Sequence, residues 1–334
     1  MLRRETAASP EQRAAALAGL RAYQEAPRGR RRRLGPVRYR RGSARLRDYG
    51  AKGGSGRPVI FIPSLINPPF ILDLEPDTSL LRWLAGRGFR PMLLDWGTPE
   101  PGMRDMDVTA HVERVLLPLI ARLPEPPVLA GYCLGGTMAL AAACAVPVAG
   151  LAMIAAPWHF GGFGAAARAD IAELWRTAQP ICEQMGLVPM EVLQTGFWRL
   201  DPARTIAKYV TFAGMAPGSA AAASFVALED WANAGAPLTY GAGRQLFEDF
   251  IGGDMTGRGA WRVGGAIADP ARLSCPAIDF VSLSDRIVPA ASAANLPDRR
   301  DLGAGHVGMI VGRGARTQTW EPLADWLSAL PTPR

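Results

Sequence analysis

Six residues near the middle of the chain, Gly-Tyr-Cys-Leu-Gly-Gly at 131–136, restrict its possible folds more than any other segment. The short, apolar, proline-bounded run at 127–130 that precedes them is typical of a buried strand. The run at 137–143 that follows is rich in Ala, Leu and Met, which favour helix. Glycines at 131 and 135 permit a turn so tight that a Cβ atom there would meet neighbouring backbone. The pattern predicts a strand, a sharp turn that presents Cys133, and a helix.

Cys133 has two interpretations. A free cysteine is most often a small, buried hydrophobic side chain. A Gly-x-nucleophile-x-Gly turn between a strand and a helix is instead the nucleophile elbow of α/β-hydrolases, here with Cys in place of Ser. At a helix N-terminus, unpaired N–H groups and the helix dipole favour the thiolate. We favour the elbow, because packing alone does not require glycines at this spacing.

Strands and helices alternate on both sides of the elbow, and this predicts an α/β fold. The specific expectation is an α/β-hydrolase fold, with a mostly parallel, doubly wound sheet. From His159 onward the pattern becomes helical, which predicts a helical cap inserted over the active site. We therefore divide the globular part into a first core segment (49–158), a helical cap insertion (159–265) and a second core segment (266–334).

The net charge of +7 originates at one end of the chain. Residues 1–50 contain 14 Arg and four acidic residues, a net +10, so the remainder carries −3. We interpret residues 1–48, which include a predicted helix from 10 to about 24 and four consecutive arginines at 30–33, as a basic N-terminal arm. The arm is either solvated and disordered or an electrostatic contact for an anionic partner. Deleting it is expected to leave the core intact, and no nucleic-acid partner is expected.

The cysteines and the apolar segments bear on the compartment. Cys133, Cys144, Cys182 and Cys275 are scattered without metal-ligand spacing, which indicates a reducing cytoplasm and no metal site. The Arg-rich N-terminus has no apolar core typical of a signal peptide. The stretch 126–167 contains no Asp, Glu, Lys or Arg, but glycines and prolines divide it into short segments. We interpret it as a buried strand–helix–strand unit and expect no transmembrane segment.

The chain has three histidines, so elimination narrows the choice of a catalytic base. His111 lies early on a predicted helix and is expected to be exposed. His159 lies where the cap begins. His306 lies in a Gly-flanked loop after the last predicted strand, and the α/β-hydrolase order of nucleophile, acid and histidine then selects Cys133, Asp285 and His306.

The predicted roles follow from this order. His306 takes the proton of Cys133 and later returns a proton to a leaving group, while Asp285 orients the imidazole. Asp279 is a second candidate for the acid. It ranks below Asp285 because it lies within a predicted strand rather than in the loop that follows the strand.

An oxyanion hole is expected to need two backbone N–H groups. One comes from Leu134, the residue after the nucleophile, and the other from Leu65 or Ile66 in the loop after the strand at 59–62. A cysteine that attacks a thioester forms another thioester of nearly equal energy, so the acyl group stays activated. The choice of Cys therefore favours acyl transfer from a CoA-type thioester.

Further motifs extend over most of the chain, from about residue 58 to 330. They are Pro-Ser-Leu-Ile-Asn at 63–67, Asp-Trp-Gly at 95–97, the Gly-Tyr-Cys-x-Gly-Gly-Thr elbow at 131–137, Ser-Asp-Arg-Ile-Val-Pro at 284–289 and Gly-His-Val-Gly at 305–308. In this combination the chain resembles polyhydroxyalkanoate synthases, and its compact size is similar to the short class that works with a second subunit. It departs from the family pattern at Leu134, where synthases often have Gln, and at Pro68, where a basic residue is usual.

The resemblance implies an acyltransferase that passes 3-hydroxyacyl groups from CoA thioesters through a Cys133 acyl-enzyme to the hydroxyl of a growing polyester. It implies that His306 deprotonates Cys133 and that Asp285 helps activate the incoming 3-hydroxyl. It implies no cofactor or metal beyond the acyl-CoA substrate, a second synthase subunit or a homodimer as partner, and a place at the surface of cytoplasmic polyester granules. The alternatives are a Cys-dependent esterase, thioesterase or intracellular polyester depolymerase, and a non-catalytic granule-surface protein.

Overall fold

The structure, a computed structural model, describes residues 5–29, 33–50 and 56–331. Its main sheet consists of β1 Val37–Arg41, β2 Ala44–Asp48, β3 Pro58–Ile62, β4 Arg90–Asp95, β5 Val128–Tyr132, β6 Gly150–Ile154, β11 Ala277–Ser282 and β12 Asp298–Leu302. These eight strands lie in the order β1-β2-β4-β3-β5-β6-β11-β12. β2 is antiparallel to β1 and to β4, and the other neighbours are parallel. The predicted α/β-hydrolase fold, with a mostly parallel sheet, is confirmed.

The helices cover both faces of this sheet and form the cap. They include α1 Pro10–Glu25, α2 Leu80–Ala85, α3 Val108–His111, α4 Leu117–Ile120, α5 Leu134–Ala145, α6 Ala165–Met185, α7 Met190–Leu200, α8 Pro202–Ala213, α9 Ala220–Asn233, α10 Tyr240–Arg244, α11 Gly308–Val311 and α12 Glu321–Ala329. Among the described residues, the π-helical segments Val112–Leu116 and Gln245–Gly252 follow α3 and α10, and the π-helical segment Arg316–Trp320 precedes α12.

The central strands are apolar on both sides because both faces of the sheet are covered. In β3, Ile60 and Ile62 belong to one buried core, while Val59 and Phe61 belong to the core on the opposite face. Parallel strands place their carboxyl ends at one edge of the sheet, where ligands of open α/β folds bind. The loops after β3, β5, β11 and β12 therefore lie close together.

The N-terminal region differs from the prediction, and the interpretation of residues 1–48 as an arm outside the core is wrong for the described part. β1 and β2 form a hairpin that extends the main sheet, with β2 paired to β4. Ala44 and Leu46 are buried against the core, while the alternate Arg47 is paired with Asp95 at 2.9 Å. The many charged residues obscure the alternation of buried and exposed positions in the sequence, because the arginines occupy the polar positions of an edge hairpin. Of the arginine block at 30–33, residues 30–32 lie outside the described residues.

Helix α1 also packs against the body of the molecule. A Cβ atom at Gly19 would lie 1.8 Å from the carbonyl oxygen of Tyr209 in α8, so the backbones of the two helices approach each other closely at this point. The Tyr23 hydroxyl donates to Asp230 Oδ1 at 2.7 Å, and Tyr23 is buried with Phe212 and Val226 in a small satellite core. The N-terminal helix is therefore docked on the cap.

The cap runs from α6 to the π-helical segment after α10 and is helical, as the sequence predicts. Two short ladders accompany it, β7 Leu187–Val188 with β8 Leu238–Thr239, and β9 Arg262–Val263 with β10 Ala266–Ile267. Cap residues such as Trp175 and Phe247 stack at 4.8 Å between ring centroids and share the core beneath. These two aromatic side chains thus pack the cap onto the α/β core.

The uncharged stretch 126–167 forms β5, α5 and β6, the centre of the α/β core. Within the described ranges, no helix combines the length and the apolar character needed to cross a bilayer.

Candidate active site

The turn between β5 and α5 holds Cys133 in a strained conformation. Its φ of 56° lies in the left-handed region and its ψ is −134°, a conformation that non-glycine residues rarely adopt. A Cβ atom at Gly131 would lie 2.3 Å from Gly136 Cα, and one at Gly135 would lie 2.0 Å from the Ile62 carbonyl oxygen. Only glycine fits at either position, so the local sequence dictates a turn that presents the thiol at the N-terminus of α5.

The loop after β11 holds Asp285 through both of its carboxylate oxygens. Oδ1 accepts hydrogen bonds from the backbone N–H groups of Ile287 at 2.7 Å and Val288 at 3.0 Å. Oδ2 lies 2.6 Å from Nδ1 of His306, in the loop after β12. The side chains of Asp285 and His306 are 0% and 8% exposed, so solvent screens their interaction little.

The structure brings the three predicted residues together. Cys133 and His306 line the same cavity, and Asp285 is bonded to the far side of the imidazole. Burial favours the neutral imidazole, but the negative charges of Cys133 and Asp285, and hydrogen bonds to both, outweigh burial and raise the pKa of His306 well above its usual value. An imidazolium beside the sulfur is the arrangement that stabilises a thiolate.

Tyr132 is a further residue of this site that the sequence-based prediction did not assign. Its hydroxyl donates to the backbone carbonyl of His306 at 3.3 Å, and its ring centroid lies 5.1 Å from that of His306. Tyr132 is buried, and burial raises the pKa of its phenol, so it remains a neutral donor. The sequence signal for Tyr132 was its position immediately before the nucleophile, because the end of β5 lies beside the loop that carries His306.

The loop after β3 is fixed by two local contacts. The Trp96 indole N–H donates to the Pro63 carbonyl at 3.0 Å, which assigns a role to the Asp-Trp-Gly motif. The Ile66 N–H already donates to Ser64 Oγ at 3.1 Å. Of the two predicted loop donors to an oxyanion, Ile66 lines the cavity that contains Cys133 and His306 but has its N–H engaged, whereas Leu65 does not line that cavity. The oxyanion donors, Leu134 included, stay a prediction.

Two cavities meet at Cys133. One, of about 210 Å³, contains His306 and several polar side chains, and the other, of about 120 Å³, is lined by cap and core hydrocarbons. Both are bounded by Ile66, Cys133, Phe197 and Ile287. The thiol is thus accessible from two chemically different directions.

The remaining candidates lie elsewhere. His111 was expected to be exposed, and this is wrong: it is buried, with Nδ1 2.7 Å from the Asp107 carbonyl and its ring 5.8 Å from Trp96. Burial lowers the pKa of His111. His159 is half-buried beside a surface groove on another side of the cap.

Asp279, the second candidate acid, is fully buried within β11 and lines neither cavity at Cys133. Neither of its carboxylate oxygens has a hydrogen-bond partner within standard geometry. Burial raises its pKa to about 7, although Arg299 and the backbone near Ala294 act in the opposite direction. Its position supports Asp285 as the partner of His306.

The other cysteines are separate from the two cavities. The Cys144 thiol donates to the Asp269 carbonyl at 3.4 Å, Cys182 is buried, and burial raises the pKa of Cys275 to about 11. Across the described residues, no group of three or more His, Cys, Asp or Glu side chains is arranged to hold a metal ion.

Several known proteins that are similar in sequence to this chain are polymerase subunits. No protein-family model matches the chain. A poly(3-hydroxyalkanoate) polymerase subunit PhaC from Haloferax mediterranei is 27% identical over 312 residues, 87% of this chain and 63% of the relative. The PhaC subunit from Allochromatium vinosum is 24% identical over 301 residues, 84% of this chain and 83% of the relative.

The chain spans only 60% of a second haloarchaeal PhaC, from Haloarcula marismortui, so it covers about three fifths of these longer relatives. Among solved structures, the monoacylglycerol lipase of Paleococcus ferrophilus has a TM-score of 0.52 at 15% identity, over 84% of this chain and 97% of the lipase. At that identity the likeness shows the fold alone. The chain therefore has the α/β-hydrolase fold and is related in sequence to the PhaC subunits of poly(3-hydroxyalkanoate) polymerases.

Proposed function

We propose that this protein is a polyhydroxyalkanoate synthase-like acyltransferase, which passes 3-hydroxyacyl groups from CoA thioesters through Cys133 to a hydroxyl acceptor. The observation that carries the proposal is the pairing of Cys133 with the Asp285-bound His306, in a chain similar to PhaC subunits. An α/β-hydrolase elbow with Ser would support ester hydrolysis equally well, so the thiol is the distinguishing group.

In the first step, the Cys133 thiolate attacks the thioester carbonyl of the substrate. Backbone N–H groups of Leu134 and of Leu65 or Ile66 stabilise the tetrahedral oxyanion. The bond from carbon to the CoA sulfur then breaks, and His306 supplies the proton that CoA needs to leave as a thiol. The product is a Cys133 thioester, which is nearly isoenergetic with the substrate.

In the second step, the 3-hydroxyl of an acceptor attacks the acyl-Cys133 carbonyl. His306 takes the hydroxyl proton through the ring nitrogen not bonded to Asp285. The carbon–sulfur bond breaks, Cys133 is released as the thiolate, and an oxygen ester forms. Because a thioester is more activated than an ester, the second step drives chain growth.

On this proposal the protein acts at the surface of cytoplasmic polyester granules, with a second synthase subunit or a second copy as its partner. The rival outcome on the same triad is hydrolysis, in which water replaces the acceptor hydroxyl. Both rivals need Cys133, so only product analysis separates them.

The test is incubation of the full chain with 3-hydroxybutyryl-CoA and 3-hydroxyhexanoyl-CoA, with and without proteins co-expressed from neighbouring genes. We expect free CoA and polyester. CoA with free 3-hydroxy acid would instead indicate a thioesterase, and no CoA release from either substrate would overturn catalysis. Cys133→Ala should be inactive, while Cys182→Ala, which removes a buried thiol that lines neither cavity at Cys133, should retain activity.

A further inference from the structure

The smaller cavity at Cys133 is built from hydrocarbon. Apart from the Cys133 thiol, every side chain that lines it is apolar, including Phe160 and Phe163 from the segment before α6 and Leu246 and Phe247 from the π-helical segment. The side chains of this lining offer no hydrogen bond to an amide, a hydroxyl or an ester carbonyl. Burying one of those groups among them without a partner is unfavourable.

The larger cavity has the opposite character. Ser64, Asn67, Gln194, Thr205 and Asn233 place hydroxyl and amide groups along it, and His306 lies at its inner end. A pantetheine arm or a polyester chain carries amide or ester groups at short intervals, and these fit the larger cavity. The C3 hydroxyl of an acyl unit must also face this side, because His306 is there to accept its proton.

We propose, on the basis of the function proposed above, that the apolar cavity binds the alkyl side chain at C3 of the acyl unit and selects medium-length 3-hydroxyacyl groups. The cavity holds about 120 Å³. For scale, an apolar protein cavity of about 150 Å³ accepts benzene, which has six carbons. The single methyl group of 3-hydroxybutyrate would leave most of the space empty, whereas the three carbons of a 3-hydroxyhexanoyl side chain would fill much of it.

Gly196 on α7 determines how much of this space is open. It lines the cavity, and a Cβ atom built there would meet only Leu174 Cδ2, at an ordinary contact distance of 3.5 Å. A Cβ atom therefore fits at Gly196 without moving backbone, and we expect a longer side chain to extend from it into the cavity. Thr195, its neighbour on α7, lines neither cavity at Cys133 and provides the matched control.

The test compares kcat/KM for CoA release from 3-hydroxybutyryl-CoA and 3-hydroxyhexanoyl-CoA. The wild type should prefer the hexanoyl substrate by ~15-fold, since each of two additional buried methylenes contributes about fourfold. Gly196→Leu should lower the hexanoyl-to-butyryl ratio of kcat/KM to about one, while Thr195→Leu should leave the ratio unchanged. Leu174→Ala, which enlarges the cavity, should shift the optimum to longer side chains.

A wild type that prefers 3-hydroxybutyryl-CoA, or a folded Gly196→Leu enzyme that slows on both substrates equally, would overturn the pocket assignment while leaving the acyltransferase intact. Equal slowing would assign the cavity to a group common to both substrates. Failure of every acyl-CoA to release CoA would instead overturn the proposed function. Circular dichroism melting of each variant separates loss of fold from loss of selectivity.

Discussion

Both carboxylate oxygens of Asp285 are engaged within the protein, and the side chain is 0% exposed. Oδ1 accepts two backbone N–H groups and Oδ2 is bonded to His306. This geometry favours an orienting role, whereas the family resemblance implies that the acid also activates the acceptor hydroxyl. The two roles predict different kinetics for one substitution.

Asp285→Asn should slow acylation of Cys133 and the later transfer together, by roughly 10²–10⁴-fold, because both steps need a correctly oriented imidazole. The measurement is the burst of CoA release from one equivalent of 3-hydroxyacyl-CoA, followed by mass spectrometry of the protein. A persistent single acyl adduct on Cys133 would contradict pure orientation and support activation of the acceptor. Asp301→Asn, at an exposed ion pair with Arg299, is the control and should behave as wild type.

Asp279 predicts a pH dependence of stability. Its native pKa is raised to about 7 by burial, while in the unfolded chain it titrates near 4. Between these values the native state binds a proton that the unfolded state has lost, so the free energy of unfolding falls as pH rises through this window. Above pH 7 the loss is complete and amounts to at most about 4 kcal/mol.

Asp279→Asn should remove this loss, so urea unfolding at pH 8 should show a variant more stable than wild type, with a smaller difference at pH 5. Comparing the two proteins at each pH cancels the contribution of His306, which titrates in both. A difference that does not change between pH 5 and pH 8 would mean that Asp279 stays ionised in the folded protein.

Among the larger elements, the loop at 63–69 owes its position to neighbours outside it. The Trp96 N–H bonds the Pro63 carbonyl at its start, and the Trp231 N–H bonds the Pro68 carbonyl at 2.9 Å near its end. One contact lies before the expected oxyanion donor in the loop, and the other lies after it. The loop is therefore held at both ends by residues outside it, in addition to its internal contact between Ile66 and Ser64.

Trp96→Phe should lower kcat by about tenfold with little change in KM, because the oxyanion forms only in the transition state and even direct donors contribute roughly 10²–10³-fold. Steady-state kinetics with the preferred acyl-CoA measure the effects on kcat and on KM separately. Trp320→Phe loses a similar bond, to the Ile310 carbonyl at 3.0 Å, at a residue that lines neither cavity at Cys133, and should leave kcat unchanged. A rise in KM alone would place Trp96 in substrate binding instead.

For the whole molecule, the docked N-terminus changes what truncation should do. Removing residues 1–48 would expose the edge of β4 and the surface of α8 that now covers Tyr23. We expect a protein that melts at least roughly 10 °C lower or aggregates, since several kcal/mol of packing would be lost. An unchanged melting temperature would contradict the hairpin as part of the fold.

The matched control keeps the hairpin and removes only charge. Arg38→Ser with Arg40→Ser changes two exposed positions of β1, and its melting temperature should match the wild type. Together the two variants separate the structural role of the segment from its basicity.

The sequence by itself determined the centre of this fold. Strands β3, β5 and β6 are covered on both faces, so each must be largely apolar, and the glycines at 131 and 135 allow only one kind of turn. The order of nucleophile, acid and histidine then pointed to three residues that the structure places together. These signals are local, because burial and steric exclusion act on each residue separately.

Only the tertiary structure determined which strands lie towards the edges of the sheet and where the cavities form. β1, β2 and β12 carry arginines and aspartates, since an edge strand exposes part of its surface to water, and nothing in such a sequence specifies its neighbour until the pairing is made. The burial of His111, the contact of Tyr132 with His306 and the division of the site into polar and apolar cavities likewise depend on residues far apart in the chain. The local sequence pattern does not predict these features, because each arises only when distant segments of the chain pack together.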